Sequence, residues 1–381
     1  MASSKVFSLE GKGLKLDTAA DIEPHIKELV DNPDVEEVRF QGNTLGVEAS
    51  EALAKVLETK KKLQPSSPSS LHTINLSDNA FGLNTQAPLV SFLSAHVPLR
   101  HLILNNNGLG PAAGTLVANA LSELAEKKAA ARKEGGDGSN DVPDLETVIC
   151  GRNRLENGSM AAWAKAFAAH TGVREVKMVQ NGIRQEGITL LLKEGLRHAA
   201  GLRTLDLQDN TFTAMGARAL GGVMLATALG EGKNQALEVL RLQFNDIDAK
   251  GVKGVADALE KMPKLRRVEL NGNKFSEEDV AVDRLREVLS ERKENGGEDA
   301  DAADEDYWGL DELDELEDED EDEEEDVVDE EEGEEEEDAD VDKKAEKELE
   351  RVEQAEDEKV ALENDKEVDQ LADLLDKTDL K

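Results

Sequence analysis

The sequence predicts an α/β solenoid, and two observations carry that prediction. The pattern apolar-x-x-apolar-x-apolar-x-x-Asn-x-apolar occurs eight times between Val35 and Phe275. Apolar residues at helical spacing follow the pattern, as in TLVANALSEL (115–124) and VADALEKM (255–262). A recurring unit of this kind must stack on its neighbours, because neither half buries its apolar face alone. We therefore expect a leucine-rich-repeat solenoid, a crescent with parallel strands on the concave face and helices on the convex face.

Each element of the repeat has its own signal. The first half alternates apolar residues, as in LHTINLSDN (71–79), which is typical of a strand buried on one side. The asparagine sits where the chain leaves the strand, and its amide can donate to and accept from orphaned backbone groups. A satisfied bond of this kind is worth roughly 1 kcal/mol. We therefore predict a structural ladder of eight asparagines: Asn43, Asn79, Asn107, Asn153, Asn181, Asn210, Asn245 and Asn273.

The repeats and the composition divide the chain into four parts. Residues 1–34 are expected to cap the array, and residues 35–295 to hold the eight repeats, with a helix around Val282 to Leu289 closing the last one. Residues 296–342 are predicted to be a disordered acidic tail, and residues 343–381 a charged segment that can form a helix. Insertions at 64–70, 127–143 and 231–235 are expected to be loops.

The net charge of −40 is concentrated in the tail. Residues Glu298 to Asp342 hold 31 acidic residues and no Lys or Arg. Charge repulsion with few apolar residues prevents folding. The tail is either a solubilising segment or a contact for a basic partner. An apolar stripe at Val368, Leu371, Leu374 and Leu375 fits either an export-type peptide or a partner helix.

Several chemistries have no support in the sequence. Cys150 is the single cysteine, so no intramolecular disulfide forms, and a reduced core thiol is expected. No apolar run has the length of a signal peptide or a membrane span. The six histidines show no metal spacing, and neither a phosphate loop nor a nucleophile elbow is present. We expect a soluble protein in a reducing compartment, without a metal, a cofactor or an active site of its own.

Repeat proteins bind partners along one face or its rim. The positions beside the ladder asparagines therefore predict a polar docking surface of mixed charge, although each residue singly could be a solvated rim residue. These positions are Asp78, Asn106, Arg152, Arg154, Gln180, Asp209 and Asp246.

Several local motifs are more specific than the repeat itself. They include LSDNAFG (76–82), LNNNGLGP (104–111), CGRNRLENGSM (150–160), LDLQDNTFT (205–213) and VELNGNKFSEED (268–279). These segments resemble the fungal Ran GTPase-activating proteins, and the likeness runs from Ser8 to about Arg292. The acidic tail in the same place is similar as well.

The resemblance implies a ribonuclease-inhibitor-like crescent that binds GTP-bound Ran, with a Ran-binding protein as a further partner. It implies stimulation of GTP hydrolysis without an inserted arginine. Asn106 matches the family asparagine that orients the catalytic glutamine of Ran, and Asp78 and Asp209 match Ran contacts. We expect a monomer that acts in the cytoplasm, or at the nuclear envelope, in nucleocytoplasmic transport, with neither nucleic acid nor membrane as a partner.

The chain departs from the family pattern in two places. A repeat carrying an arginine and a lysine is expected between the first two repeats, where this chain runs TKKKLQPSSPSSLHT (59–73). A second repeat is expected between Ala219 and Leu237. The array is thus predicted to be about two repeats short, and Arg39 does not replace the missing arginine by motif. The alternative function is a non-catalytic leucine-rich scaffold whose acidic tail binds basic proteins.

Overall fold

The computed structural model describes residues 5–32, 34–59, 71–79, 86–134, 142–211, 234–259, 261–295 and 307–316. The chain divides into two compact units, Met1–Asp326 and Val327–Lys381, and the first contains all the described residues. The predicted loop at 64–70, most of the predicted tail and the apolar stripe at 368–375 lie outside them.

Ten parallel strands form one sheet in the described part of the chain, and its strand order is β1-β3-β5-β6-β7-β8-β9-β10-β11-β12. Strands β2 and β4 pair separately. The strands are β1 (Val6–Ser8), β2 (Lys15–Leu16), β3 (Glu37–Arg39), β4 (Thr44–Leu45), β5 (Thr73–Asn75), β6 (His101–Ile103), β7 (Thr147–Ile149), β8 (Glu175–Lys177), β9 (Thr204–Asp206), β10 (Val239–Arg241), β11 (Arg267–Glu269) and β12 (Gly309–Leu310).

Helices alternate with these strands along the chain and pack against the helices of neighbouring repeats. They are α1 (Ala19–Asp31), α2 (Val47–Thr59), α3 (Gln86–Ala95), α4 (Gly110–Glu134), α5 (Met160–Ala169), α6 (Gln185–Leu190), α7 (Ala249–Leu259) and α8 (Val280–Asn295). A π turn at Leu191–Gly195 and a 3₁₀ turn at Leu196–His198 follow α6. The predicted solenoid of strand-and-helix repeats is confirmed.

The apolar pattern of the repeat forms a single core. Every pattern position within the described residues is buried, from Val35 in the first repeat to Phe275 in the last. Phe81 and Phe212, which fill two of the pattern positions, lie outside the described residues. Cys150 is a free thiol in this core, as predicted, and burial raises its pKa to about 12.

The predicted cap of residues 1–34 contributes a strand of its own, since β1 pairs with β3 and Lys12 occupies the position of a ladder asparagine. Two predictions at the edges of the repeats need correction. Residues 127–134 are helical rather than loop, because they are strong helix formers and Lys128 donates to the Val97, Leu99 and Pro143 carbonyls. The segment 307–316 is ordered, although it falls inside the predicted disordered tail of 296–342.

Within the described residues, no helix is long and apolar enough to cross a bilayer. The same residues include no group of three or more His, Cys, Asp or Glu side chains placed to hold a metal ion.

Candidate functional site

Seven of the eight ladder asparagines form a continuous buried row. From Asn79 to Asn273, the backbone N–H of each one donates to the Oδ1 of the next, at 2.9–3.1 Å. The Nδ2 of Asn153 also donates to the carbonyls of Gly151 and of Leu104 in the preceding repeat, at 2.9 and 2.8 Å. All eight asparagines are buried. From Asn79 onward, the row therefore fixes the turn after each strand and ties adjacent repeats together.

The residue before each ladder asparagine has a left-handed backbone. The φ values at this position lie between 53 and 76° in all eight repeats. The residues are Gly42, Asp78, Asn106, Arg152, Gln180, Asp209, Phe244 and Gly272. We call this set the rim row. The chain must turn sharply off the strand here, and glycine, asparagine and aspartate tolerate that conformation best.

The rim row brings most of the predicted site residues into one line. The backbone N–H of Asp78 donates to Asn105 O at 2.8 Å, and that of Asn106 donates to Gly151 O at 2.9 Å. The same bond recurs from Arg152 through Phe244, at 2.7–3.1 Å. Adjacent strands lie about 4.8 Å apart, so the side chains from Asp78 to Asp209 follow one edge over roughly 20 Å.

Two predicted site residues occupy a different position. Arg154 and Asp246 come directly after the ladder asparagine and also have positive φ, 54° and 56°. Arg154 is exposed, whereas Asp246 pairs with Lys274 at 3.4 Å. They belong to the fourth and the seventh repeats, so they do not adjoin each other.

Asn106 is held by a side-chain relay that the sequence did not reveal. Its Nδ2 donates to Asp78 Oδ1 at 2.8 Å. Gln41 Nε2 donates to the other carboxylate oxygen of Asp78 at 3.2 Å, and Asn75 Nδ2 donates to Gln41 Oε1 at 3.1 Å. This relay crosses three repeats. It fixes the amide of Asn106 with Nδ2 toward Asp78, so Oδ1 is the acceptor that Asn106 can offer to a partner.

The remaining rim residues differ in whether their side chains make hydrogen bonds or ion pairs with other described residues. Arg152 Nε donates to Gln180 Oε1 at 2.7 Å. Among the described residues, no ion pair or side-chain hydrogen bond engages Asp209, and its side chain is exposed. Phe244, which is also exposed, belongs to this row but was not predicted. Counting one residue back from Asn245 would have found it.

The sheet face beside the rim row carries charged and ring side chains. The His72 and His101 rings meet edge to face at 6.1 Å, and burial lowers the pKa of both. Further along, Arg241 pairs with Glu269 at 3.0 Å and lies 3.7 Å from Asp206, whose pKa is raised by burial. The face is therefore polar and mostly self-paired.

Comparison with known proteins identifies the repeat and the family. A family model described as Leucine Rich repeat matches residues 202–221 and 233–256. The Ran GTPase-activating protein 1 of Saccharomyces cerevisiae is 36% identical over 339 residues, which span 74% of this chain and 81% of that protein. The chain belongs to the family of Ran GTPase-activating proteins. The Xenopus laevis Ran GTPase-activating protein 1 is 34% identical over 206 residues, 46% of this chain and 34% of its own length. The Drosophila melanogaster Ran GTPase-activating protein is 30% identical over 324 residues, 71% of this chain and 53% of its own.

The family pattern implies an absent repeat at each of two places. At both places the flanking strands pair directly with each other. Val38 pairs with Ile74 and Leu205 pairs with Leu240, in the register of every other junction. At the first of these junctions the ladder is interrupted, since Asn79 Oδ1 is buried without a hydrogen-bond partner. The sheet is thus continuous, but the first junction lacks a bond that the other ladder positions have.

Proposed function

We propose that this chain stimulates GTP hydrolysis by Ran, acting in trans on the GTP-bound form. The observation that carries the proposal is Asn106, an exposed amide in a left-handed turn, held at 2.8 Å by Asp78. Membership in the family of Ran GTPase-activating proteins supports it, as does the match of LNNNGLGP (104–111) to the family motif. In this proposal Ran supplies the nucleotide and the catalytic glutamine.

The proposed mechanism is catalysis by positioning. Asn106 Oδ1 accepts a hydrogen bond from the side-chain amide of the catalytic glutamine and holds that side chain in one rotamer. The glutamine then orients the attacking water, so that less freedom is lost at the transition state. Asp78 is a positioning residue in this scheme, because it acts through Asn106. Arg152, Arg154, Gln180, Asp209 and Asp246 supply contacts that dock Ran along the same edge.

The test is single-turnover GTP hydrolysis by Ran with the protein and its Asn106→Gly variant. Glycine keeps the left-handed backbone while it removes the amide, so loss of activity cannot come from strain in the turn. Removing one preorganised group of this kind costs roughly 100-fold in kcat. We expect that loss in kcat with a KM within about threefold of the wild-type value.

Asp78→Asn serves as the companion variant, because it keeps the shape of the side chain and removes the charge that holds Asn106. We expect a smaller loss of kcat, about tenfold, with KM unchanged. Equal losses of kcat and binding in Asn106→Gly would make Asn106 a docking residue only. No stimulation of Ran by saturating wild-type protein would rule out the proposed function.

The alternative, a scaffold that binds basic proteins through its tail, makes a different prediction in a pull-down. Ran should be retained only when GTP is bound if the proposed function holds. Basic proteins retained at low salt and lost on deletion of the tail would favour the scaffold.

We further propose that the protein acts as a cytoplasmic monomer, with a Ran-binding protein as an additional partner. Localisation at the nuclear envelope is part of the same proposal.

A further inference from the structure

Phe244 is an exposed aromatic residue at a strained position of the rim row. Its side chain is 48% exposed and its φ is 55°. A bulky residue rarely adopts this conformation. The other seven rim positions hold glycine, asparagine, aspartate, glutamine or arginine. Phe244 is therefore the one apolar side chain of the row, and it is held where an asparagine or glycine would fit with less strain.

The ring is seated on the next repeat rather than in the core. A Cβ built on Gly272 would fall 2.2 Å from the Phe244 ring, so the ring lies directly over this glycine. The Phe244 backbone N–H also donates to Asn271 O at 3.1 Å. The backbone of the following repeat therefore supports one face of the ring, while about half of the surface of Phe244 faces solvent.

Two acidic residues lie near Phe244, one in the neighbouring repeat and one two positions along the chain. Strand β9 pairs with β10 in a register that sets Asp209 beside Phe244, and Asp209 N donates to Gln243 O at 2.9 Å. Asp246 lies two residues further along and pairs with Lys274. Asp209 has no ion-pair partner among the described residues. An aromatic face beside an unpaired carboxylate suits a cationic side chain, whose methylene groups pack on the ring while its charge faces the acid.

We propose that Phe244 is a docking anchor for a lysine or arginine side chain of the GTPase, with Asp209 receiving the charge. This inference rests on the proposed function and assigns Phe244 to binding rather than to catalysis. Phe244 is four repeats away from Asn106 along the rim, roughly 20 Å at the usual strand spacing. Its contribution should therefore appear in KM and leave kcat unchanged.

The central variant is Phe244→Asn, measured by single-turnover hydrolysis of Ran·GTP over a range of protein concentrations. Asparagine favours the left-handed backbone, so the variant should melt at the same temperature or higher. We expect KM to rise about tenfold and kcat to stay within about twofold of wild type. Val280→Asn is the matched control, because Val280 is 82% exposed at the start of α8. That variant should keep the wild-type KM.

A double-mutant cycle tests the cationic partner. If Phe244 and Asp209 hold the same side chain, Phe244→Asn and Asp209→Asn should be strongly non-additive in KM. Phe244→Leu should fall between wild type and Phe244→Asn, since it keeps apolar packing but loses the ring.

The outcomes separate this inference from the proposed function. A wild-type KM for Phe244→Asn, with stimulation of Ran intact, would overturn the anchor and leave the proposed function standing. Fully additive effects would overturn the shared cationic side chain. Failure of the wild-type protein to stimulate Ran at all would overturn the proposed function and the anchor together.

Discussion

Asn106 and Asn107 are neighbouring asparagines with different roles, and burial decides between them. Asn107 is 1% exposed, and its Nδ2 donates to the carbonyls of Leu76 and Leu104. Asn106 is exposed, and its amide meets a single carboxylate at 2.8 Å. A buried amide that lost its partners would cost about 1–3 kcal/mol, so Asn107 serves folding. An exposed amide carries no such cost, so Asn106 is available to a partner.

His170 gives the folded protein a specific sensitivity to acid. Its side chain is 5% exposed, and its Nε2 lies 2.7 Å from the Leu121 carbonyl. Burial lowers the pKa of His170 to about 4, below the usual 6.5. The unfolded chain therefore binds the proton first, and stability that is complete above pH 6.5 is lost as the pH falls toward 4. The free energy of unfolding should drop by about 2 kcal/mol between pH 7.5 and pH 5 from this residue alone.

Urea unfolding of wild type and His170→Gln at both pH values measures this contribution. Glutamine can still donate to the Leu121 carbonyl but does not titrate, so the variant should lose about 2 kcal/mol less than wild type on acidification. Comparing the two proteins cancels the contribution of the other titrating groups. Parallel pH profiles would show that His170 does not titrate in this range.

At the level of elements, the sequence predicted the strands and asparagines that recur in every repeat. It missed the elements that occur only once in the chain. Eight strands and their asparagines follow from one apolar pattern, because burial in a stacked sheet enforces it at every copy. The strand β1 was missed because Lys12 replaces the asparagine. The last two turns of α4 were missed because the pattern of the repeat does not reach them. They depend instead on Lys128, whose carbonyl partners are fixed by the fold.

The candidate site was predictable to a similar extent. Position relative to the ladder identified the rim row, because the turn after each strand recurs with the repeat. The relay through Gln41 and Asn75 could not be predicted, since it depends on which strands are neighbours and on side-chain rotamers.

The junction between the first two repeats is imperfectly packed. An apolar cavity of about 20 Å³ lies between α2 and α3, lined by Leu53, Leu57 and Phe92 among others. Ser50 also lines it, and the Ser50 hydroxyl is buried without a hydrogen-bond partner. The alignment with the Saccharomyces cerevisiae relative spans 339 residues but takes in 74% of this chain. That difference is about the length of two repeats, and this junction is one place where a repeat was expected.

Ser50→Ala should stabilise the protein, because it removes an unsatisfied buried hydroxyl. We expect a gain of about 1 kcal/mol in the free energy of unfolding. Ser159→Ala is the matched control, since Ser159 is also buried but its hydroxyl donates to the Leu155 carbonyl at 2.7 Å. That variant should lose about 1 kcal/mol. Urea unfolding of both checks the prediction, and a loss in Ser50→Ala would mean that the hydroxyl has a partner.

On the scale of the whole molecule, the described array is closed at its carboxyl end by a strand from the acidic segment. We call residues 307–316 the clasp. Gly309 and Leu310 pair with β11, and Leu313 is buried against the core. Asp311 accepts from the backbone N–H groups of Leu270 and Asn271, at 2.8 and 3.0 Å. An uncovered sheet edge invites pairing with other chains, so the clasp both stabilises the last repeat and protects its edge.

Arg266 links the clasp to the last strand. Its guanidinium lies 5.7 Å from the ring centres of both Tyr307 and Trp308, and it donates to the Tyr307 carbonyl at 2.9 Å. Arg267 donates to the Trp308 carbonyl at 3.2 Å. These contacts use aromatic residues that are otherwise rare in this chain, which has one Tyr and two Trp. Composition alone assigned the segment to the tail, because acidic residues flank it on both sides.

Two truncations separate the clasp from the acidic residues that follow it. A chain ending at residue 306 loses the burial of Leu313, the β12 pairing and the Asp311 bonds, so its free energy of unfolding should fall by about 3 kcal/mol or more. A chain ending at residue 316 keeps all of them and should stay within about 0.5 kcal/mol of the full chain. Urea unfolding measures both, and light scattering should show association only in the shorter chain, whose β11 edge is open. Equal stability of the two truncated chains would show that the clasp contributes nothing to the fold. Leu313→Ala in the full chain tests the same contact without truncation and should cost about 2 kcal/mol.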